Sequence, residues 1–289
     1  MTNYVGRFAP SPSGPLHFGS LVAAVASFCD ARAHHGKWLV RIEDIDTPRC
    51  QVGADIAILE CLHKHGLYWD GDVVYQSQRL DLYYSYVERL GQLSKLYWCT
   101  CTRKRLKALG GEYDGFCRQK QNSEHNAALR VQINTNETIF HDELQGEQHS
   151  QSELCDPIII RRDGLFAYNL VVVADDIEQG ITHIVRGSDI LPVTPLQRNF
   201  YRLLRTPAPA YLHIPVASAA PGRKLSKQNH APALNNALAA QNILSALRYL
   251  GQPPPETGLT LTLEQIINHA VDHWQRQNVP KCMEVIVAE

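Results

Sequence analysis

Three groups of residues in this chain carry charge-bearing or reactive side chains at informative spacings. The first is His17-Phe18-Gly19, which follows the turn Pro10-Ser11-Pro12-Ser13-Gly14-Pro15 and opens into an apolar segment. A histidine at a helix start can donate to phosphate oxygens, and the helix amides favour anions there. Gly19, without a side chain, lets a flat ring approach the backbone closely. The second group is Lys224-Leu225-Ser226-Lys227-Gln228, flanked by Pro221, Gly222 and Pro232. Lysines on such a loop suit the charge of a leaving pyrophosphate. Together the two segments predict nucleotide-dependent activation chemistry. The third group is Cys99-x-Cys101 with Cys117, three soft thiolates suited to a closed tetrahedral zinc site. Spacing does not supply the fourth ligand, for which His125 is the commoner residue type. Such a zinc is expected to be structural, because a short segment has little core of its own.

Positioning these groups requires an α/β frame. A strand over Tyr4 to Phe8 feeds the turn, and apolar residues at helical spacing (Leu21, Val25, Phe28, Cys29) predict a helix from Ser20 to His35. Trp38 to Ile42 reads as a buried strand, which implies a parallel pair with a right-handed crossover. Helices are expected over Ala54 to His65 and Arg79 to Leu93. Residues 96–155 read as an insertion into that frame. It comprises a Gly-, Cys- and Arg/Lys-rich stretch from Cys99 to Cys117, a polar loop (Gln119 to Asn126), short strands (Ala128 to Ile133, Thr138 to Phe140) and a polar connector (Gly146 to Glu153). Beyond it, Ile158 to Arg161 and Val171 to Val173 are β-branched runs of strand type. Ile181 to Val185 and His213 to Val216 read as strands, and Leu196 to Leu204 as a helix. Helices follow at Ala237 to Leu250 and Leu263 to Trp274. The expected organisation is a parallel-sheet core in two halves, 1–95 and 156–232, with a helical region at 233–289.

Composition bounds the rest. With 44% hydrophobic and 20% charged residues, the chain is of ordinary globular type. A net charge of -1 excludes a global field that attracts nucleic acid. The clusters Arg103-Lys104-Arg105, Arg161-Arg162 and Arg198/Arg202/Arg205 read first as solvated faces. No signal-type or membrane-length apolar run occurs, so a cytoplasmic location without membrane contact is expected. The eight cysteines are expected to be reduced, and Cys50, Cys155 and Cys282 carry no spacing signal.

The Pro10–Ser20 turn and the Lys224–Gln228 loop resemble the HIGH and KMSKS signatures of class I aminoacyl-tRNA synthetases. Ser20, Leu225 and Gln228 depart mildly from those patterns. Arg7-Phe8-Ala9-Pro10-Ser11-Pro12-Ser13-Gly14, the Leu39–Asp46 run and the Gly180–Gly187 run are similar to the glutamyl branch. The likeness reaches to about Pro232, and only two predicted helices follow the lysine loop. No anticodon-binding domain is therefore expected, and the chain resembles the short glutamyl-queuosine tRNA(Asp) synthetase family. That resemblance implies a Rossmann-type class I catalytic core carrying a zinc-bearing insertion. It implies activation of L-glutamate with ATP and Mg2+ without tRNA, then transfer to the cyclopentenediol of queuosine at the wobble position of tRNA(Asp). By the same resemblance, His17, Gly19 and Lys227 are catalytic, and Lys224 joins them on ATP. Arg7, Ala9, Ser11, Glu43, Tyr168 and Arg186 form the glutamate pocket. Cys99, Cys101, Tyr113 and Cys117 hold the zinc. Arg161, Arg162, Arg198 and Arg202 are candidates for anticodon-loop phosphates, and a monomer is expected. The alternative is a minimal glutamyl-tRNA synthetase that charges a tRNA 3′ end. A nucleotidyltransferase would not need Glu43, Tyr168 and Arg186, and a non-catalytic RNA-binding zinc module would not need His17, Gly19 and Lys227.

Overall fold

The computed structural model describes residues 4–133, 139–150, 155–225, 232–255 and 261–287. Its frame is a parallel layer. Strand β1 (Val5–Phe8) leads through the Pro-rich turn into helix α1 (Phe18–Ala33) and then β2 (Lys37–Ile42), with Gly6 opposite Trp38 and Arg7 opposite Leu39. Helix α2 (Ala54–Lys64) precedes β3 (Val74–Tyr75), which lies parallel to β2. Helix α3 (Leu80–Leu93) then leads to β4 (Leu96–Cys99), the short helix α4 (Arg103–Ala108) and β5 (Ala128–Val131). Strands β6 (Ile139–Asp142), β7 (Gly146–His149) and β8 (Ile158–Ile160) follow. After them come α5 (Tyr168–Glu178), β9 (His183–Gly187), α6 (Thr194–Leu203) and β10 (Ala210–Ile214).

Strand β9 pairs in parallel with β10, and β10 with β6. It meets β1 through Thr182, whose N–H donates to Val5 O at 2.9 Å and whose Oγ1 accepts from Val5 N–H at 2.9 Å. The chain thus leaves β1 for β2 on one side, while β9 flanks it on the other. A crevice opens at the carboxyl ends of strands where the order reverses in this way. Strands β4, β5 and β8 form an antiparallel sheet of their own.

Helix α1 is buried nearly all round: Leu21, Val22, Ala24, Val25, Phe28 and Cys29 pack on the sheet side and against the C-terminal helices. Those helices, α7 (Ala239–Tyr249) and α8 (Leu263–Asp272), supply Ile243, Leu247, Ile266 and Ile267 to the same core. Strands β11 (Val216–Ala220), β12 (Arg223–Lys224) and β13 (Glu284–Ile286) close a small sheet, β13 running parallel to β11. Among the described residues no helix is long and apolar enough to cross a membrane.

Two sequence readings change. Val171 to Val173, expected as a strand-type run, lie inside α5. All three are fully buried, because α5 is covered by α3 and α6, and a short apolar run cannot distinguish a buried helix from a buried strand. The polar connector from Gly146 contains β7, an edge strand paired antiparallel with β6; its alternating burial leaves one face to water. Residues 151–153 of that connector and Thr138 lie outside the described residues.

Asp30 of α1 anchors the C-terminal region. Its fully buried carboxylate accepts from Tyr4 Oη at 2.5 Å, Trp274 Nε1 at 3.0 Å, and Arg276 Nε and Nη2 at 2.7 and 2.9 Å. Burial opposes its ionisation, but the bonds and charge of Arg276 outweigh burial and hold the pKa below the usual carboxylate range. Arg276→Ala is therefore expected to cost about 3 kcal/mol of stability at neutral pH, since it strands a buried charge. A depressed carboxyl pKa contributes stability that is present above the unfolded value and is lost as pH falls. In denaturant titrations the gap between wild type and variant should narrow below about pH 4.

Candidate functional site

The crevice is a cavity of about 580 Å3 at the carboxyl ends of β1, β2, β9 and β10. It brings together Arg7, Ala9, Ser11, His17, Gly19, Glu43, Tyr168, Arg186 and Lys224, which are far apart in sequence. Ser226, Lys227 and Gln228 lie outside the described residues.

At one end, His17 is the N-cap of α1. Its extended backbone (φ −114°, ψ 174°) lets Nδ1 accept from Ser20 N–H at 3.3 Å, so the proton of the neutral ring sits on Nε2. The first turn of α1 carries no acidic residue to offset its N-terminal positive potential. Gly19 leaves room for the imidazole: a Cβ there would stand 3.2 Å from the His17 ring, close enough that the ring would have to shift. Leu225 O lies 3.7 Å from the same point, Ala233 forms a bridge with His17, and Leu234 N–H donates to Leu16 O at 3.0 Å. Both flanks of the segment carrying Lys227 are therefore docked on the His17 turn. Lys224 Nζ pairs with Asp189 Oδ2 at 2.6 Å on the cavity wall.

The floor is a buried charge network. Arg41, with no exposure, lies 2.8 Å from Asp176, 3.3 Å from Glu43 and 3.7 Å from Asp175. Arg7 Nε meets Asp176 Oδ1 at 3.3 Å, and Arg79 meets Asp175 at 3.2 Å. Arg41 and Glu43 share a face of the chain leaving β2 because they are two residues apart. Burial pushes the Glu43 carboxyl up against the pull of Arg41 and Arg7. For Asp176 burial also opposes ionisation, yet Arg41 and Arg7 win and the pKa falls.

Arg186 is held differently. Its Nε donates to His213 Nε2 at 2.9 Å, Nη1 to Gln197 Oε1 at 2.7 Å and Nη2 to Thr194 Oγ1 at 2.8 Å. All three partners are neutral, and among the described residues no carboxylate pairs with this guanidinium, which is 4% exposed. His213 Nδ1 lies 2.6 Å from Asp142 Oδ2. A guanidinium only donates and a carboxylate only accepts, so the imidazole carries its proton on Nδ1 and offers Nε2 to Arg186. Tyr168, the first residue of α5, is 41% exposed on the cavity wall. Sequence reasoning missed Arg41, Asp142, Asp176 and His213. A signal existed for one: Asp175-Asp176 directly follows an apolar run, where an acidic pair is costly unless paired.

The cysteine group assembles away from this cavity. The Sγ atoms of Cys99, Cys101 and Cys117 lie within 4.8 Å of one another, and Cys101 and Cys117 are 3.7 Å apart. A tetrahedron with metal–sulfur bonds of about 2.3 Å has edges of about 3.8 Å, so the donor set fits one metal ion. Burial opposes ionisation of Cys117, but hydrogen bonds from the Thr100 backbone, the neighbouring thiols and Tyr113 bring it down to about 7. Tyr113 is buried with the thiols, its Oη accepting from Cys117 N–H at 2.8 Å and its N–H donating to Cys155 Sγ at 3.3 Å. His125 is exposed, and its ring contacts Asn126 instead.

Residues 4–278 match the family described as tRNA synthetases class I (E and Q), catalytic domain. The chain is 52% identical over 279 residues to a glutamyl-Q tRNA(Asp) synthetase of Pectobacterium atrosepticum, covering 96% of this chain and 87% of that protein. It is 49% identical over 282 residues to the protein of that name from Escherichia coli K12, covering 97% and 92%. The crystal structure of glutamate-tRNA synthetase from Elizabethkingia anophelis superposes with a TM-score of 0.81 at 22% identity, over 99% of this chain and 68% of that one, a likeness of fold.

Burial lowers the His213 pKa to about 4, with Arg186 adding to the effect and Asp142 opposing it. Nitrogen-15 NMR is expected to report the neutral Nδ1–H form at about pH 5 and above, because the folded-state value lies below that pH. Between about pH 4 and about 6.5 the unfolded chain binds a proton that the folded chain does not, so stability should climb with pH there. His213→Phe should flatten that climb in pH-dependent unfolding.

Proposed function

The chain belongs to the class I tRNA synthetases for glutamate and glutamine, and from that premise we propose that it activates L-glutamate with ATP without tRNA and transfers it to queuosine in tRNA(Asp). The observation that carries this reading is the charge pattern of the cavity. Of the charged side chains that line it, Lys224 pairs with Asp189 and Arg49 with Asp46, while Arg7, Arg186 and Glu43 present two cations and one anion, the complement of a ligand with two carboxylates and one ammonium. The buried Arg186, hydrogen-bonded among the described residues to neutral acceptors alone, gains most from an incoming carboxylate. The names of the relatives at about half identity support the acceptor.

In this reading the Arg7 fork grips the side-chain carboxylate with Arg186 beside it, Glu43 holds the ammonium, Tyr168 walls the pocket, and Ala9 and Ser11 line it. An α-carboxylate oxygen attacks the α-phosphorus of ATP, the bond to the bridging oxygen breaks, and pyrophosphate leaves. His17 at the start of α1, with Lys224 and Lys227, stabilises the phosphoryl charge, and Gly19 keeps that surface open. Mg2+ accompanies ATP and offsets phosphate charge. The reaction belongs in the cytoplasm, where a monomer would suffice. Zinc fits the three thiolates with Tyr113 as the fourth ligand, and bound there it would cross-link a segment with little core of its own.

ATP–pyrophosphate exchange across amino acids tests the reading. Exchange should depend on glutamate and need no tRNA. Arg186→Gln should raise KM for glutamate about a hundredfold while KM for ATP stays within about threefold. Lys227→Ala should lower kcat about a hundredfold with glutamate affinity nearly unchanged, because its charge matters most in the transition state. Glutamate should pass to queuosine-containing tRNA(Asp) alone; charging of tRNA(Glu) at its 3′ end would make the protein a glutamyl-tRNA synthetase instead. Metal analysis should find one zinc per chain, lost in Cys117→Ser with a lower Tm and retained exchange.

A further inference from the structure

Beside the main cavity lies a smaller one of about 130 Å3. The two share Ser11, Ser13, Glu43, Arg49 and Tyr168 as a common wall, while Asp46, Cys50, Gln76 and Arg161 line only the smaller. A group seated there stands next to whatever fills the larger space.

Its electrostatics differ from those of the glutamate pocket. Glu43 faces Arg41 at 3.3 Å, and Asp46 is met by Arg49 at 3.3 Å and Arg161 at 3.4 Å. Each charged side chain on its walls thus has an opposite charge beside it. The polar atom left over is neutral. Gln76 is fully buried, its Nε2 donates to Asp175 Oδ2 at 2.8 Å, and its Oε1 is buried without a hydrogen-bond partner. A carboxylate accepts, so the amide orientation is fixed with Oε1 at the other corner. A buried acceptor without a donor is costly, and an entering hydroxyl removes that cost.

The geometry points to this cavity as the acceptor subsite: it takes a neutral five-membered ring bearing a vicinal diol, one hydroxyl donating to Gln76 Oε1 and the other facing the glutamyl carbonyl across the shared wall. The assignment rests on the glutamate-transfer reading above. In the transfer, the hydroxyl oxygen forms the ester bond to the acyl carbon and the carbon–oxygen bond of the mixed anhydride breaks. AMP leaves, and the hydroxyl proton passes to its phosphate. Two rings have this chemistry, the cyclopentenediol of queuosine and a tRNA 3′-terminal ribose.

The test separates the half-reactions. Cys50→Phe fills the smaller cavity, and Cys50→Ser keeps it open. Both are assayed for tRNA-independent glutamate exchange, and for transfer of labelled glutamate to queuosine-containing tRNA(Asp), unmodified tRNA(Asp) and tRNA(Glu). Exchange is expected within about twofold of wild type in both variants, with transfer to queuosine-containing tRNA(Asp) at least about tenfold slower in Cys50→Phe and normal in Cys50→Ser. The same selective loss on an unmodified tRNA would place a terminal ribose in this cavity. Transfer at the wild-type rate by Cys50→Phe, or exchange falling in step with transfer, overturns the subsite. Failure of the wild type to transfer to any of the three tRNAs overturns the transfer reading itself, before any variant is compared.

Discussion

A guanidinium sealed from water organises the centre of this molecule. Arg41 has no solvent exposure, so its charge must be met inside the protein, and Asp175, Asp176 and Glu43 meet it. Two of those carboxylates stand on α5 and one follows β2, so compensation locks the second strand to a helix more than a hundred residues away. Asp176 also takes Arg7 from β1, and Asp175 takes Arg79 ahead of α3. Removal of Arg41 leaves Glu43, Asp175 and Asp176 short of their shared buried cation, which costs several kcal/mol. The cavity floor is thereby held rigid before any ligand arrives, the condition for catalysis by positioning.

Against that compensated floor the cations of the cavity fall into two kinds. Arg7 is tied to a carboxylate through Nε, which orients its fork. Among the described residues Arg186 hydrogen-bonds only to His213, Gln197 and Thr194, with the Tyr211 ring beside it and Asp142 one imidazole away. A buried cation kept in place by neutral acceptors is a standing attraction for an anion, and the neutral tautomer of His213 maintains it. The smaller neighbouring cavity has its charges paired and its spare acceptor neutral, which suits a hydroxylated group. Neighbouring spaces with opposite electrostatic characters fit a reaction in which a charged amino acid is joined to an uncharged alcohol.

The C-terminal helices belong to the same construction. They cover the outer face of α1, whose N-terminus carries His17, and Arg276 pins them to Asp30 on that helix. Docking of Leu225, Ala233 and Leu234 on the His17 turn then ties the lysine segment to the same helix end. The N-terminal end of α1 is thus supported from both directions along the chain.

Much of this was legible in the amino-acid order, where local rules apply. The first strand–turn–helix–strand unit, the helix-start histidine, the close-approach Gly19 and the cysteine triplet all depend on contacts within a few residues or on side-chain chemistry alone. Arg7, Ala9, Ser11, Glu43, Tyr168 and Arg186 were reached through motif resemblance, and the structure gathers them at one cavity. The sequence could not assign Val171–Val173 to a helix, because a run buried on every side has no periodicity to read. Nor could it choose between Tyr113 and His125 beside the thiols, since spacing says nothing about which side chain folds inward. Arg41 and His213 stood within runs read as strands, and Asp142 carried no signal of its own. Their roles arise only when strands from distant parts of the chain are brought side by side and water is excluded between them, for it is burial that turns an ordinary ion pair or imidazole into a constraint on its neighbours.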